Sequence, residues 1–365
     1  MKFHQKLIFA ITIFILAYII WRAYNSRQFS LENFELPTII GQPSQSSELT
    51  SLKKTTPINI QNIAQDHANL PLREYCIKGS YNSAYTGHYI NLEMIEYVLA
   101  RGCRFLDFEV YYINENDKYI PKVGFSTDNT FTMLNSENSI LLDNVLSSAT
   151  ASAFSSKTSN NKDPLFIHLR IKSNNGDVYN SVAKSIDYSI KPLLYKEAVT
   201  NDTLLREIMG KVVIIIDKSI NRDYSQYNVC NTRLCYVLTD YTNMESGSET
   251  LNIVKYTDLL HQRTTPIQIL DSKISTDSSI STDSKISTDV KKMKLALPDI
   301  IPNTTENPKI MDCVLKYGCQ VVPNRFYYPD KQLEKYETFF DDNKSAFVPL
   351  STALPYYQKI KDLYA

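Results

Sequence analysis

The sequence has no excess charge of either sign, since 39 lysine and arginine residues balance 39 aspartate and glutamate residues over 365 positions. It also lacks a long basic run that could follow a phosphate backbone. Proteins that bind nucleic acid usually carry a clustered positive surface, so both features argue against that class of partner. We therefore expect no nucleic-acid partner.

Two local motifs of common binding sites are also missing. No Cys-x-x-Cys pair occurs among the six cysteines, which removes the usual signature of a structural zinc site, and there is no glycine-rich phosphate loop. Two cysteine pairs do lie close in sequence: Cys230 with Cys235, and Cys313 with Cys319. Two local disulfides would fit an oxidising compartment, whereas six small buried thiols would fit a reducing one.

No excess of glycine, proline or charge marks the chain as disordered, and 43% of its residues are hydrophobic. Short apolar runs that fit buried parallel strands alternate with stretches of helical spacing. The predicted strands are Cys103–Val110, Leu165–Ile171, Val212–Asp217, Leu234–Thr239 and Gln320–Pro323, and the predicted helices are Leu92–Ala100 and Val178–Leu194. The repeated unit predicts an α/β fold, either a TIM-type (β/α) barrel or an open doubly wound sheet.

The N-terminus carries an uncharged apolar run from Leu7 to Trp21. A helix that is apolar on every face at a chain terminus has no evident core to enter, so we predict a membrane anchor over residues 1–27. At 1.5 Å per residue the run spans about 22 Å, less than the ~30 Å hydrocarbon layer, so flanking side chains must reach the interface. The membrane is therefore a predicted partner, through a single N-terminal transmembrane helix.

A cleaved signal peptide has a similar length and remains an alternative. Arg22-Ala23-Tyr24 interrupts the expected small-residue cleavage site, which favours a retained signal anchor. Basic residues flank both ends of the run, so the positive-inside rule does not fix the side of the membrane on which the main domain lies. We predict a single-pass membrane protein and leave its orientation open.

Two further segments differ in composition from a folded core. Residues 28–70 are rich in Ser, Gln, Thr and Pro, which predicts a stalk. Residues 271–294 contain an imperfect repeat of Ser, Thr, Asp and Ile that cannot bury a face, which predicts a low-complexity surface insertion. The globular domain is predicted to occupy residues 71–365.

The start of this domain carries a series of motifs in a characteristic order. The turn Ser80-Tyr81-Asn82-Ser83-Ala84-Tyr85 precedes a helix and the strand Gly102-Cys103-Arg104-Phe105-Leu106-Asp107-Phe108-Glu109. Pro121-Lys122-Val123-Gly124-Phe125-Ser126, DPLFIHLRIKSN, GKVVIIID and YGCQVVPNRF follow. Over about residues 71–350 the sequence resembles the X region of phosphatidylinositol-specific phospholipases C. This resemblance implies a phosphoric diester hydrolase fold, a TIM-type barrel that is irregular or incomplete.

The resemblance also implies which positions would carry catalysis. In that family one histidine takes the proton from the attacking inositol 2-hydroxyl and a second protonates the leaving diacylglycerol oxygen. Tyr81 stands at the first position, where a phenol of pKa ~10 stays protonated at neutral pH, and Phe125, which has no proton to give, stands at the second. Losing one general acid or base typically costs about 10²–10⁴ in rate, so we expect turnover to be nearly abolished.

Calcium-dependent members of the family hold their metal with an asparagine, two carboxylates on one strand and a later glutamate. Asn82 is retained, and Asp107 and Glu109 keep the paired carboxylates, with Asp and Glu exchanged relative to the family. The later glutamate is replaced by Arg170, which has only donors and cannot ligate calcium. We expect Arg170 to pair with the two carboxylates and the site to need no cofactor; the alternative is calcium on Asn82, Asp107 and Glu109.

His168 lies two residues before Arg170, so both side chains share one face of the predicted strand. If that face lines the barrel, His168 could replace a missing proton carrier. A lone inward histidine is, however, more often a hydrogen-bonded core residue. His88, in the first loop, is expected to face solvent.

These residues leave three functions open. We prefer a membrane-anchored pseudoenzyme that binds a phospholipid headgroup or a protein partner without cleaving it. The first alternative is an active phosphodiesterase with an altered, metal-independent mechanism, in which Arg170 stabilises charge and His168, His88 or Tyr81 carries protons. The second is a purely structural membrane protein, in which the carboxylates and the arginine only stabilise the fold.

Overall fold

The structure, a computed structural model, describes residues 44–54, 56–227, 235–256, 292–298 and 306–363. Within these ranges the helices and strands follow in the order α1 (Gln45–Leu52), β1 (Tyr75–Ile77), β2 (Gly79–Ser80), α2 (Leu92–Ala100), β3 (Phe105–Glu115), β4 (Lys118–Gly124), β5 (Ile140–Leu141), α3 (Leu142–Ala153), β6 (Leu165–Lys172), α4 (Asp177–Ile190), β7 (Val212–Asp217), β8 (Met244–Ser246), β9 (Leu251–Lys255), β10 (Met293–Leu297), α5 (Ile310–Tyr317), α6 (Lys331–Asp342), β11 (Phe347–Pro349) and α7 (Leu350–Leu363). Short 3₁₀ helices connect several of them.

One sheet carries the fold. Its strands neighbour one another in the order β10-β9-β8-β7-β6-β3-β4-β5, and β2 also pairs with β3. The pairs that link β2, β3, β6, β7, β8, β9 and β10 are all parallel, whereas β4 and β5 form an antiparallel branch on β3. Helices α2, α3 and α4 lie between successive parallel strands, which is the strand–helix unit predicted from the sequence.

The two ends of this parallel row approach each other, but the described strands do not pair into a closed ring. Isolated bridges join Val321 both to Leu295 in β10 and to Ile77 in β1. The stretch 319–324, which we name the closing segment, therefore lies where a last barrel strand would be. The fold is an incomplete barrel, as the sequence allowed, rather than a continuous (β/α)₈ ring.

Several predicted elements match the structure. The predicted bounds of α2 and β7 are those observed, because α2 is capped by Asn91, whose side chain accepts from the Glu93 amide, and β7 is an uninterrupted apolar run. The predicted strand Leu234–Thr239 is wrong over its described part. Leu238–Tyr241 forms a 3₁₀ helix, and the strand is the later three-residue β8, which is too short to show a pattern.

The described part of the predicted stalk differs from the prediction, because it packs on the domain. Leu49, Leu52 and Ile60 are buried, and the Ile63 amide donates to the Asp163 carboxylate at 2.9 Å. These apolar residues are isolated among polar residues, so they show no periodicity, yet they belong to the main hydrophobic core of the domain. We name residues 44–54 and 56–63 the N-terminal strap.

The strap runs along α2. The Gln45 side chain donates to the Ile90 carbonyl before this helix begins, and Arg101, after its end, donates to the Thr56 carbonyl. The predicted anchor, residues 28–43 and positions 271–291 of the predicted insertion lie outside the described residues. Among the described residues no helix is long and apolar enough to cross a bilayer.

Candidate functional site

Two neighbouring parallel strands place four polar side chains on one face. The register of β3 with β6 sets Asp107 opposite His168 and Glu109 opposite Arg170. Alternate residues of a strand share a face, so all four side chains project to the same side of the sheet. His168 also contacts Ser246 of β8, two strands away, which identifies this side as the inside of the curved sheet.

Arg170 is the centre of this group. Its Nε and Nη2 atoms donate to Oδ1 and Oδ2 of Asp107 at 2.8 and 2.7 Å, and its Nη1 donates to Oε1 of Glu109 at 2.8 Å. Nη2 also donates to Oδ1 of Asn82 at 2.8 Å. The planar guanidinium matches the two oxygens of Asp107 in the fork geometry that gives strong ion pairs. The pairing of Arg170 with both carboxylates, predicted from the sequence, is present.

Glu109 has three further partners, which the sequence analysis did not identify. Its Oε2 atom lies 3.0 Å from Lys172 Nζ and accepts from the Tyr111 hydroxyl at 2.6 Å and from the Ser126 amide at 3.1 Å. Asp107, Glu109, Arg170 and Lys172 form what we name the ion cluster, with two formal charges of each sign. Lys172 and Tyr111 continue the alternation of side chains along their strands by which the other cluster residues could be predicted. Ser126 contributes only its backbone amide to the contact with Glu109, so its residue type gives no sequence signal.

The backbone conformation of Asn82 allows both its amide and its side chain to bind the ion cluster. Asn82 has a φ of 44°, a left-handed conformation that asparagine adopts more readily than most residues. Its amide donates to Asp107 Oδ2 at 3.0 Å while its side-chain oxygen accepts from Arg170. Burial alone would raise the pKa of Asp107, but Arg170 and the His168 hydrogen bond outweigh it and hold this pKa well below its ordinary value.

The cluster is closed to solvent. The side chains of Asp107 and Glu109 are 0% exposed and that of Arg170 is 4% exposed. The ring of Tyr81 lies over the Arg170 guanidinium, with 4.6 Å between the ring centroid and Cζ. This cation–π contact replaces water on one face of the cation.

Three more rings form a group around Tyr85. Phe125 stacks on Tyr85 with centroids 4.3 Å apart, and Tyr327 meets Tyr85 edge-on at 4.8 Å. We name Tyr81, Tyr85, Phe125 and Tyr327 the aromatic cover. The two positions predicted to have lost catalytic histidines, Tyr81 and Phe125, therefore belong to this cover. Burial raises the pKa of Tyr81 further above its ordinary value, so its phenol keeps its proton.

Both ring nitrogens of His168 are held by protein side chains inside the fold. Its Nδ1 lies 2.8 Å from Asp107 Oδ1 and its Nε2 lies 2.7 Å from Ser246 Oγ, and both histidine and serine are fully buried. Ser246 was not predicted, because β8 is only three residues long. His88 is half exposed and outside the site: its Nδ1 lies 2.6 Å from Glu48 Oε1 on the strap.

The residues do not fit the calcium site of the alternative prediction. The oxygens of Asn82, Asp107 and Glu109 that would ligate a metal are engaged by the Arg170 guanidinium. Across the described residues no group of three or more His, Cys, Asp or Glu side chains could hold a metal ion. A divalent cation would have to displace a hydrogen-bonded, buried arginine.

Comparisons with known proteins identify the family that this chain resembles and the fold that it shares. Residues 68–218, less than half of the chain, match the family model for phosphatidylinositol-specific phospholipase C, X domain. The crystal structure of L. pealei PLC21 is similar with a TM-score of 0.56 and 14% identity, covering 86% of this chain and 42% of that one. That of S. officinalis PLC21 has a TM-score of 0.55 and 15% identity, with the same coverage.

The chain thus spans about two-fifths of the length of these two structural neighbours. At such low identity the likeness concerns the fold alone. A comparison with curated protein sequences gave no match.

Proposed function

With the phosphatidylinositol-specific phospholipase C X-like fold of this chain as the premise, we propose that the protein is a pseudoenzyme, a catalytically impaired form of that fold. One observation carries the proposal. The guanidinium of Arg170 fills the position between Asn82, Asp107 and Glu109, and all of these groups are buried. The ion cluster occupies the space in which a metal ion and a substrate hydroxyl would have to meet.

The proton-transfer requirement supports the same proposal. Cleavage of a phosphodiester by the attack of a neighbouring hydroxyl needs one group to take a proton and one to return it, both titrating near the working pH. Tyr81 has a raised pKa and Phe125 has no titratable group. The loss of both groups removes about 10²–10⁴ in rate for each.

Arg170 is not free to take over the role of a catalytic cation. Its donors are directed at Asp107, Glu109 and Asn82, and the positive charges of Arg170 and Lys172 are balanced by two carboxylates within the cluster. A phosphate group entering the site would meet no net positive charge. Separating a buried pair of this kind typically costs about 3–5 kcal/mol, so phosphate binding inside the closed cluster is disfavoured.

We further propose that the N-terminal apolar segment anchors this domain to a membrane, where the domain binds a phospholipid headgroup or a protein partner without cleaving it. The support for anchoring is the uncharged run Leu7–Trp21. Because the ion cluster is neutral and shielded by the aromatic cover, a partner would bind the outer surface of the cover rather than the cluster.

The test is phosphodiester cleavage by the purified full-length protein on vesicles that contain phosphatidylinositol. Soluble inositol phosphate is measured with added calcium and, separately, with a chelator. We expect no release above that of protein-free vesicles under either condition, while an active phospholipase C on the same vesicles gives a positive control. Release at ordinary enzyme rates would refute the proposal.

An active phosphodiesterase of altered mechanism is the second candidate, and one observation favours it. Asp107, His168 and Ser246 form a hydrogen-bonded chain of the kind that orients acid–base histidines. If cleavage is detected, this candidate predicts that His168→Ala abolishes it in a protein that still unfolds cooperatively. Unchanged cleavage in that variant would remove His168 from the mechanism.

A further inference from the structure

Two cysteines that the proposed function does not use lie together next to the closing segment. Cys313 belongs to α5 and Cys319 begins the closing segment; both are buried thiols with no exposed surface. They share one small apolar cluster whose other buried members are Ala296, Tyr317 and Val322. The short spacing noted in the sequence therefore corresponds to a contact in space.

The backbone turn after α5 brings the two cysteines together. Gly318 has a φ of 61° and its amide donates to the Val314 carbonyl, as in the left-handed caps that commonly end helices. The turn directs the Cys319 amide to the Cys313 carbonyl oxygen at 3.0 Å. The neighbouring Cys319 thiol and burial together raise the pKa of the Cys313 thiol. An apolar contact is usual between these two positions of such a cap, and here both positions hold a sulfur that can be oxidised.

We propose that Cys313 and Cys319 form an intramolecular disulfide when the protein matures in an oxidising compartment. Each thiol gives up one proton, and the pair gives up two electrons to a disulfide oxidant such as glutathione disulfide, which is reduced to two thiols. The two cysteine S–H bonds break, one S–S bond forms, and the two protons pass to the glutathione thiols. Because both sulfurs are buried in the folded protein, the exchange takes place before α5 packs on the sheet.

Two further observations support this disulfide. Cys235 is itself disulfide-bonded, which is the state expected of a domain that folds under oxidising conditions. The new bond would also join α5 to the closing segment, in which Val321 bridges β10 and β1 at the gap of the incomplete barrel. A covalent link at this point closes a short loop and so restricts the unfolded chain.

The test begins with the full-length protein that has been denatured, reduced and then refolded in an oxidising glutathione buffer. The protein is alkylated under denaturing conditions, digested without reduction and analysed by mass spectrometry. We expect a peptide that contains unalkylated Cys313 and Cys319 and is lighter by two hydrogens than its reduced form. Alkylation of both cysteines, or linkage of either to a different cysteine, would overturn the proposal.

A second measurement separates this bond from the disulfide of Cys235. The midpoint of thermal unfolding is measured before and after reduction for the wild type and for Cys313→Ala. We expect reduction to lower the midpoint of thermal unfolding more in the wild type than in Cys313→Ala, because only the wild type contains this bond. Cys103→Ala, which alters a buried thiol away from α5, serves as the control and should keep the wild-type difference. Equal losses in the wild type and Cys313→Ala would contradict the proposal.

Discussion

Arg170 stabilises two buried carboxylates that would otherwise repel each other across adjacent positions of one strand face. Asp107 and Glu109 are both fully buried, and each receives a charged hydrogen bond from the same guanidinium. Taking such charges out of water is costly, and only mutual pairing with good geometry offsets that cost. The arginine is therefore a structural requirement of this site as well as the reason that the site does not fit a metal.

Replacing Arg170 with methionine should destabilise the protein strongly. The change leaves two buried carboxylates with only Lys172 as a cation, and breaking a buried ion pair in this way typically costs about 3–5 kcal/mol. The free energy of unfolding is measured by urea denaturation. Lys191→Met, which removes an exposed ion pair with Asp187, is the matched control and should have no measurable effect. Equal stability of the two variants would contradict this account of the cluster.

Mild acid should change the contribution of Asp163 to the free energy of unfolding in the direction opposite to that of Asp107. Burial raises the pKa of Asp163 to about 6, above the ~3.9 of an exposed aspartate. A raised carboxyl pKa means that the folded state binds the proton more tightly, so this group costs stability as the pH rises from about 4 to about 6. The wild type should gain up to about 3 kcal/mol relative to Asp163→Asn as the pH falls from about 7 to about 4.

This difference is measured by chemical denaturation of both proteins at each pH. The amide side chain of the Asp163→Asn variant keeps an oxygen that can accept from the Ile63 amide, so the comparison isolates the charge. Other titrating groups, including Asp107, act equally in both proteins and cancel. A difference that does not change with pH would show that Asp163 has an ordinary pKa.

At the scale of elements, the N-terminal strap is the part that the sequence did not predict. Its attachment depends on a buried glutamate: Glu48 accepts from the Thr86 hydroxyl at 2.5 Å and lies 2.6 Å from His88 Nδ1. Thr86 and His88 belong to the loop that carries Tyr81 and Asn82 towards the ion cluster. The strap therefore stabilises the same loop that covers the site.

Glu48→Ala should weaken this attachment and lower the free energy of unfolding. The substitution removes the hydrogen bond from the Thr86 hydroxyl to a carboxylate, of a kind that typically contributes about 1.5–3 kcal/mol, and leaves this hydroxyl with only the Tyr89 carbonyl as acceptor. Glu93→Ala is the control, because Glu93 pairs with Lys53 between the strap and α2 in an exposed position. We expect thermal unfolding to shift for Glu48→Ala and not for Glu93→Ala. No difference between the two would mean that the strap is held by its apolar contacts alone.

The sequence predicted elements well wherever one segment carries its own complete signal. α2 and β7 are of this kind, and so are the strand positions of Asp107, Glu109, His168 and Arg170, which follow from alternation together with the family motifs. The sequence did not predict those elements and site residues whose positions depend on partners distant in the chain. The strap has no periodicity, β8 has three residues, and Ser126 and Ser246 enter the site from a loop and from that short strand.

At the scale of the whole molecule, the fold and the function rest on different kinds of evidence. The motif order, the family match over residues 68–218 and the structural neighbours agree on a phospholipase C-like α/β fold of the TIM-barrel type. A fold of this kind hosts many functions, so the function has to be argued from the site. There, the two positions predicted to have lost their proton carriers are aromatic, and the space between Asn82, Asp107 and Glu109 is filled by the Arg170 guanidinium.

The most direct test of this account is a calorimetric titration of the full-length protein with calcium. Because Arg170 occupies the coordination space between Asn82, Asp107 and Glu109, we predict no stoichiometric binding heat for the wild type and the same result for Asp107→Asn. Tight, one-to-one calcium binding by the wild type that disappears in Asp107→Asn would contradict the account.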